Sequence, residues 1–417
     1  MTSSSLQQAI KRVLCEQPLT FLDPVFYTNS EFVSLEQQNI FSKTWLYVCH
    51  TSKLTEIGAT RIVEVAGRSL IIIRSEQDTL SAFYNSCSHR GSTLIPDEKA
   101  NNEKAPQKPA ASRKCIVCPY HGWTFDIQGN LKGLPEKDRF SNSVDFSKLA
   151  LKPVRLETWG SLIFVSFSAE IRSLKDYLGE MVARMAGFPI ESLTLLFEKD
   201  YEVSCNWKTF HDNGLCDYHV SIAHQTTLKD VQGHTKYYQY MFDDYVNALI
   251  TPITQKWKSE NEPWEVLPEP MRSQFITFGI FPNLHIYALP DGTLYVERID
   301  PISVSECQIH SEVYGRPHHL NHIGELEKWY EALFEEDRIL AEGVQKGYAS
   351  IQGESGESKH TPGPINTLEA RIVQQQQLIR RFLLSGFQRE LAAPIGSIYS
   401  EQFRQSDTFK AVIQRSL

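Results

Sequence analysis

The chain has 417 residues, 41% of them hydrophobic and 11% aromatic, which is ample for one or two well-packed cores. A formal net charge of -8, with no cluster of Lys and Arg, excludes a phosphate-binding surface, because nucleic-acid affinity needs dense cationic side chains. The opening MTSSSLQQAIKRVL lacks the features of a secretory signal, and apolar runs such as 70–73 and 162–165 fall far short of the roughly 20 residues a membrane-spanning helix needs. The expectation is a cytoplasmic protein that binds neither nucleic acid nor membrane.

In chain order, residues 1–44 read as a helical lead-in: Ser30 can cap a segment whose apolar residues Phe32, Val33, Leu35, Ile40 and Phe41 approach helical spacing. From 45 to 170 the pattern changes to short strands, at 61–65, 69–74 and 80–84, separated by Gly and polar turns, which predicts a small antiparallel β-domain. Residues 97–114 are polar, Lys-, Ala- and Pro-rich and without period, so they read as a surface excursion. From 171 to 417, strand-like stretches at 194–205, 274–287 and 293–299 alternate with helical ones at 324–346 and 367–385, an α+β pattern. A QQQQ run at 374–377 sits within the last helical pattern and suggests no function by itself.

The eight cysteines are scattered over a long chain without secretory context, so disulfides are not expected and clustered cysteines need another reason. Cys87 and His89 form a Cys-x-His pair, and Cys118 and His121 a Cys-x-x-His pair, each followed by glycine at Gly91 and Gly122. Two thiolates and two imidazoles can bind zinc, or they can hold a two-iron, two-sulfur cluster with the cysteines on one iron and the histidines on the other. Zinc fingers pair like with like, whereas each loop here contributes one Cys and one His, which suits the split between two irons. Pro119, Tyr120 and Trp123 can shield such a cluster from water. Cys115 reads as a spare thiol at a strand start.

A second dense stretch, Asn206 to His224, carries three histidines and two aspartates. On an ideal helix His219 and His224 would point roughly 140° apart, so they converge on one metal only if the helix ends or bulges between them. Spacing alone leaves open whether the pair binds metal.

Together the two stretches resemble the Rieske non-haem iron oxygenases, in particular the α subunit of ring-hydroxylating oxygenases, over roughly residues 20–390. The resemblance implies a Rieske cluster on Cys87, His89, Cys118 and His121, and a mononuclear iron on His219, His224 and a distant carboxylate. For that carboxylate, the run Leu333 to Leu340 followed by Val344-Gln345-Lys346-Gly347 resembles the family's downstream pattern; Asp337, flanked by apolar Leu333, Phe334, Ile339 and Leu340, is expected to point inward and is chosen, with Glu336 in reserve. In the family an acid three residues before the first histidine bridges the cluster of one subunit to the iron of its neighbour. Here Cys216 stands at that position, and the bridging role is assigned to the adjacent Asp217.

The implied fold is α+β: a lead-in over 1–44 packing on the catalytic domain, a small antiparallel β Rieske domain over 45–170, and a larger catalytic domain over 171–417 with a curved antiparallel sheet covered by helices. The implied function is the terminal oxygenase component of a multicomponent system. It takes electrons from an NAD(P)H-dependent reductase or a ferredoxin and uses O2 to hydroxylate an organic substrate, with a homotrimer as the assembly. The reading favours an aromatic substrate, with Phe210, Ile222 and Tyr287 as candidate pocket walls. The alternative is monooxygenation or N-dealkylation of a quaternary amine, for which Tyr237, Tyr238, Tyr240, Phe242 and Tyr245 offer a candidate aromatic cage. A Rieske electron carrier or a zinc-binding module would need only the first constellation and a shorter chain. An oxoglutarate-type oxygenase would want a carboxylate where Ser221 stands.

Overall fold

The structure, a computed structural model, describes residues 21–96, 111–351 and 363–391. Most of the expected 97–114 excursion and the start of the lead-in therefore lie outside the described residues. The chain divides into two compact units: Lys43–Leu174, and a larger one that joins Met1–Ser42 to Lys175–Leu417.

The smaller unit is built from antiparallel strands β1 (Leu46–His50), β2 (Ala59–Val65), β3 (Arg68–Glu76), β4 (Thr79–Tyr84), β5 (Ala111–Ser112), β6 (Cys115–Val117), β7 (Thr124–Asp126), β8 (Leu131–Gly133), β9 (Pro153–Trp159) and β10 (Leu162–Ser166). Seven form a sheet in the order β1-β10-β9-β4-β3-β2-β5, and β6-β7-β8 form a second, three-stranded sheet. Leu70 to Ile73 are each 0% exposed. Their unbroken apolar run is the mark of a strand buried on both faces, and each such side chain stabilises the fold by roughly 1.5–3 kcal/mol. Ile71, Ile73 and Phe83 from the large sheet pack with Ile116 and Phe125 from the small one, and Cys87, Cys118 and Trp123 belong to the same core cluster.

In the larger unit, β11 (Thr194–Val203), β12 (Gln239–Phe242), β13 (Val246–Pro252), β14 (Gln274–Ile280), β15 (Leu284–Ala288), β16 (Leu294–Pro301) and β17 (Cys307–Gly315) make a seven-stranded antiparallel sheet in the order β11-β17-β16-β15-β14-β13-β12. The stretch 274–287 is thus two strands rather than one, broken at Phe281-Pro282 where proline offers no N–H to a ladder. Register aligns Thr277 with Tyr287, Tyr287 with Tyr295, His285 with Glu297, and Glu297 with Ser311. With side chains alternating along each strand, these residues share one sheet face. The helix Ile323–Ser350 contributes Trp329, Tyr330, Leu333, Phe334 and Asp337 to the same cavity as Tyr287, Tyr295 and Glu297.

The lead-in is a helix over Glu31–Glu36 that widens into a π-turn over Gln37–Phe41. The wider turn restores phase across the five-residue step from Leu35 to Ile40, so both are fully buried with Phe32 and Phe41. Ser30 does not act as the expected cap: its backbone is already helical and its side chain makes no capping bond. Buried polar groups fix the lead-in to the helix Trp207–Gly214 instead. Glu36 takes hydrogen bonds from Lys208 Nζ (2.5 Å) and Trp207 Nε1 (2.7 Å), while Tyr27 Oη donates to Asp212 (2.6 Å). Gln376, from the glutamine run, donates to both Tyr27 and Asp212 at 2.9 Å.

Candidate metal centres

The first site sits in the smaller unit on two loops with one backbone pattern. Cys87 N donates to Ser92 O and Gly91 N to Cys87 O; Cys118 N donates to Trp123 O and Gly122 N to Cys118 O, all within 2.8–3.0 Å. Each loop closes on its cysteine, and the return demands a positive φ, 73° at Gly91 and 70° at Gly122, which glycine adopts without strain. Closure turns amides onto sulfur: those of His89 and Arg90 toward Cys87, those of Tyr120 and His121 toward Cys118. Burial pushes the Cys87 thiol up; at Cys118 burial acts the same way, but the amide donors outweigh it and hold the thiol below its ordinary value.

The His89 and His121 rings lie 4.8 Å apart. His89 stacks on buried Trp123 at 4.6 Å, and His121 on Tyr120 at 3.8 Å. Tyr120 is 57% exposed with the Arg90 guanidinium over its ring, so Trp123 is the inner shield and Tyr120 an outer plate. His89 Nδ1 is buried without a hydrogen-bond partner. A polar atom left bare in that way, beside two amide-fed sulfurs and a second imidazole, fits the donor set of a two-iron, two-sulfur cluster. Cys115 is exposed at the start of β6.

The second site lies in the larger unit and is assembled from distant segments. The helix Trp207–Gly214 stops, the chain runs irregularly through 215–219, and a one-turn helix Val220–Ala223 separates His219 from His224. His219 is itself helical, but the helix ends at His224, whose ψ of 59° lies outside the helical range, and that removes the divergence a continuing helix would impose. His219 Nε2 and His224 Nε2 come within 2.9 Å, and Asp337 Oδ1 lies 3.3 Å and 3.2 Å from them. Three donors at right angles about an ion with bonds of about 2.1 Å stand about 3 Å apart, so this triangle fits one divalent metal held on one face. Burial works to lower His219, but its contacts with Asp337 and Cys216 outweigh it and bring the group up to about 10. Burial opposes the charge on Asp337, but hydrogen bonds from both histidines hold its carboxyl far below the usual range.

The reserve carboxylate has a different place. Glu336 Oε2 lies 2.8 Å from His224 Nδ1 and accepts from Thr227 Oγ1 at 2.6 Å, which orients His224 with Nε2 toward Asp337. Asn213 Nδ2 donates to Asp337 Oδ1 at 2.5 Å. Gly214 permits the close approach of this segment to β15, since a Cβ there would stand 2.4 Å from His285 Cε1. Asp337 points inward with Phe334, whereas Ile339 and Leu340, expected to flank it, are 58% and 37% exposed.

Asp217 is not placed as expected. A bridging role needs a carboxylate sharing a hydrogen bond with His219, but Asp217 is buried and its Oδ1 accepts from Arg371 Nη1 at 3.1 Å. Burial raises its carboxyl to about 6 even against that guanidinium. The acid beside Cys216 is Glu369, with Oε1 4.0 Å from the sulfur and Oε2 accepting from Asn366 N at the start of the helix Ala370–Leu391.

A cavity opens on the triad. Its walls include Phe210, Tyr287, Tyr295, Trp329, Tyr330 and Glu297, and it reaches Asp217 and Arg371. Phe210 and Tyr287 are thus wall residues as expected, but Ile222 is 70% exposed. The expected cage of Tyr237, Tyr238, Tyr240, Phe242 and Tyr245 is not part of the wall: Tyr237 is 56% exposed, Tyr238 donates to Gln232, and Tyr245 stacks on Tyr177.

Two family models match the chain: a Rieske [2Fe-2S] domain over residues 44–155 and a ring hydroxylating alpha subunit catalytic domain over 190–385. Among curated relatives, the carnitine monooxygenase oxygenase subunit of Escherichia coli (strain K12) is 29% identical, covering 78% of this chain and 83% of that protein. The 2-aminobenzenesulfonate 2,3-dioxygenase subunit alpha of Alcaligenes sp is 30% identical, covering 68% of this chain and 71% of that protein. The chain belongs to the Rieske oxygenase family. The fold agrees with a quaternary ammonium Rieske monooxygenase solved with L-carnitine (TM-score 0.69, 25% identity, 88% of this chain and 96% of that one). It also agrees with naphthalene 1,2-dioxygenase from Rhodococcus sp. (TM-score 0.70, 20% identity, 92% and 99% coverage).

As a Rieske oxygenase the chain is an oxidoreductase that incorporates O2, the oxygenase subunit of a system whose cofactors are a Rieske cluster and a mononuclear iron. Electrons come from a reductase or ferredoxin partner. No helix among the described residues is long and apolar enough to cross a membrane. Sequence reasoning missed Asn213, Thr227, Glu369, Arg371 and most of the cavity wall; only strand register and helix phase reveal these.

Proposed function

We propose that this Rieske oxygenase subunit monooxygenates a quaternary amine, with Cys87, His89, Cys118 and His121 holding the cluster and His219, His224 and Asp337 the iron. The observation that carries the substrate reading is the wall of aromatic rings next to the triad. Tyr295 lies 5.7 Å from Tyr330 and 6.1 Å from Trp329 between ring centroids, and Tyr287 pairs directly with Tyr295 across β15 and β16. Electron-rich ring faces attract an alkylammonium group, and desolvation strengthens the attraction. The relatives named for carnitine point the same way, whereas the sequence alone favours ring hydroxylation.

Held by His219, His224 and Asp337, a mononuclear iron would supply the O2 chemistry. The chain's own residues do the rest. Glu336 and Thr227 hold His224 in one orientation, Asn213 holds Asp337, and the aromatic wall excludes water and presents an alkyl carbon of the substrate toward the triad. With two electrons and two protons, one oxygen atom of O2 enters a C–H bond beside nitrogen and the other leaves as water. The hydroxylated carbon then departs as an aldehyde, leaving the dealkylated amine.

The test is turnover with a reductase, NADH and O2, offered either a trimethylammonium compound or an aromatic sulfonate. Release of formaldehyde, or of trimethylamine with the matching aldehyde, from the first supports the reading; a ring diol from the second, with neither amine cleavage product from the first, overturns it. A homotrimer, carried over from the resemblance, is tested by mass in solution.

A further inference from the structure

We propose that Glu297 is the residue that selects for positive charge in this cavity, and that the preferred ligand is a simple ammonium cation rather than an ammonium carboxylate zwitterion. The inference rests on the quaternary amine reading and sharpens it.

Glu297 lies on the cavity-facing side of β16, two residues from Tyr295, and is 7% exposed. Its hydrogen bonds come from a neutral group: Tyr330 Oη donates to Oε1 at 2.5 Å. The basic side chain beside it, His285, has Nδ1 3.9 Å from Oε2 and also 3.1 Å from Tyr287 Oη. Burial disfavours a charge on that ring. A carboxylate held among aromatic rings without a strong counter-charge is costly to bury. A cationic ligand resting on Tyr295 and Tyr330 supplies the missing charge.

No side chain offers the opposite polarity. Among the described residues lining the cavity, the one Lys or Arg is Arg371, and it is 1% exposed. Its Nε donates to Asn247 Oδ1, its Nη1 to Asp217 and Thr277 Oγ1, and its Nη2 to the Thr277 carbonyl. Asp217 neutralises its charge. A ligand carboxylate therefore meets a guanidinium already engaged, together with the unmatched charge of Glu297.

The experiment is calorimetric titration of the metal-loaded protein, without reductant, using three ligands: choline, its neutral isostere with a tert-butyl group in place of trimethylammonium, and glycine betaine. Choline is expected to bind about tenfold tighter than either of the others, the scale of one desolvated cation interaction. Glu297→Gln should narrow both ratios, leaving choline only the preference over its isostere that the aromatic wall supplies, and Glu297→Asp, which keeps the charge, should preserve their order. Equal binding of choline and the isostere by the wild-type protein, or a ratio unchanged in Glu297→Gln, overturns the role of Glu297. Betaine binding as tightly as choline overturns the preference for a simple cation. Binding of a flat arene with none of the three bound overturns the underlying amine reading instead. If the Gln variant does not fold, the wild-type ratios and the Asp variant decide the matter.

Discussion

The two metal centres are built by opposite means. The cluster site consists of two short loops in which cysteine, histidine and glycine all fall within five residues of one another, and each loop closes through its own backbone. The iron site needs a helix that ends at its second histidine and a carboxylate more than a hundred residues downstream, brought together by the packing of a long helix. A local site tolerates change elsewhere in the fold, whereas a distributed one inherits every displacement of its scaffold.

The sharpest break in that contrast is His219→Ala. Non-cluster iron should fall from about one per chain to near none and turnover should vanish, while the visible absorption of the cluster persists. Loss of both would show that the sites are not independent. Next comes Asp217→Ala, which strands Arg371 as a buried unpaired charge at the rear of the distributed site. Unfolding in urea should show a loss of about 3–5 kcal/mol. Glu336→Gln keeps the fold but loosens His224, and competitive chelation should register metal affinity weakened about 10–100-fold. The smallest effect belongs to the local site: Tyr120→Ala removes an exposed plate and should cost less than about 1 kcal/mol in urea with the cluster retained.

The same contrast explains what the sequence disclosed. Cys87, His89, Cys118 and His121 were readable because the chemistry of a closed loop is written in neighbouring residues, glycine included. The resemblance points to the acidic run and the apolar residues around Asp337 favour it over Glu336, but their division of labour is not legible: adjacent helix residues diverge by about 100°, and which one meets which nitrogen depends on helix phase. Glu297 and Tyr295 sit in LYVERID, a strand buried on both faces, where alternation does not announce which side is the cavity. The strands Val246–Pro252 and Cys307–Gly315 carry no sustained alternation, and the register that aligns His285, Glu297 and Ser311 is hidden with the second of them. The assignment of Asp217 followed chain adjacency, but the backbone turns its carboxylate onto Arg371 and leaves Glu369 beside Cys216.

The long helix grips a single imidazole at both ends, with Glu336 at His224 Nδ1 and Asp337 at Nε2. Two handles on one ring make a hinge that cannot turn: rotating or sliding the helix would pull both contacts at once. Any breathing that admits a ligand must therefore carry the helix and the 219–224 segment as one rigid piece, or else come from the opposite wall of strands. The gripped ring makes the metal-bearing wall a single unit, so the geometry of the triad is carried unchanged through whichever motion opens the cavity.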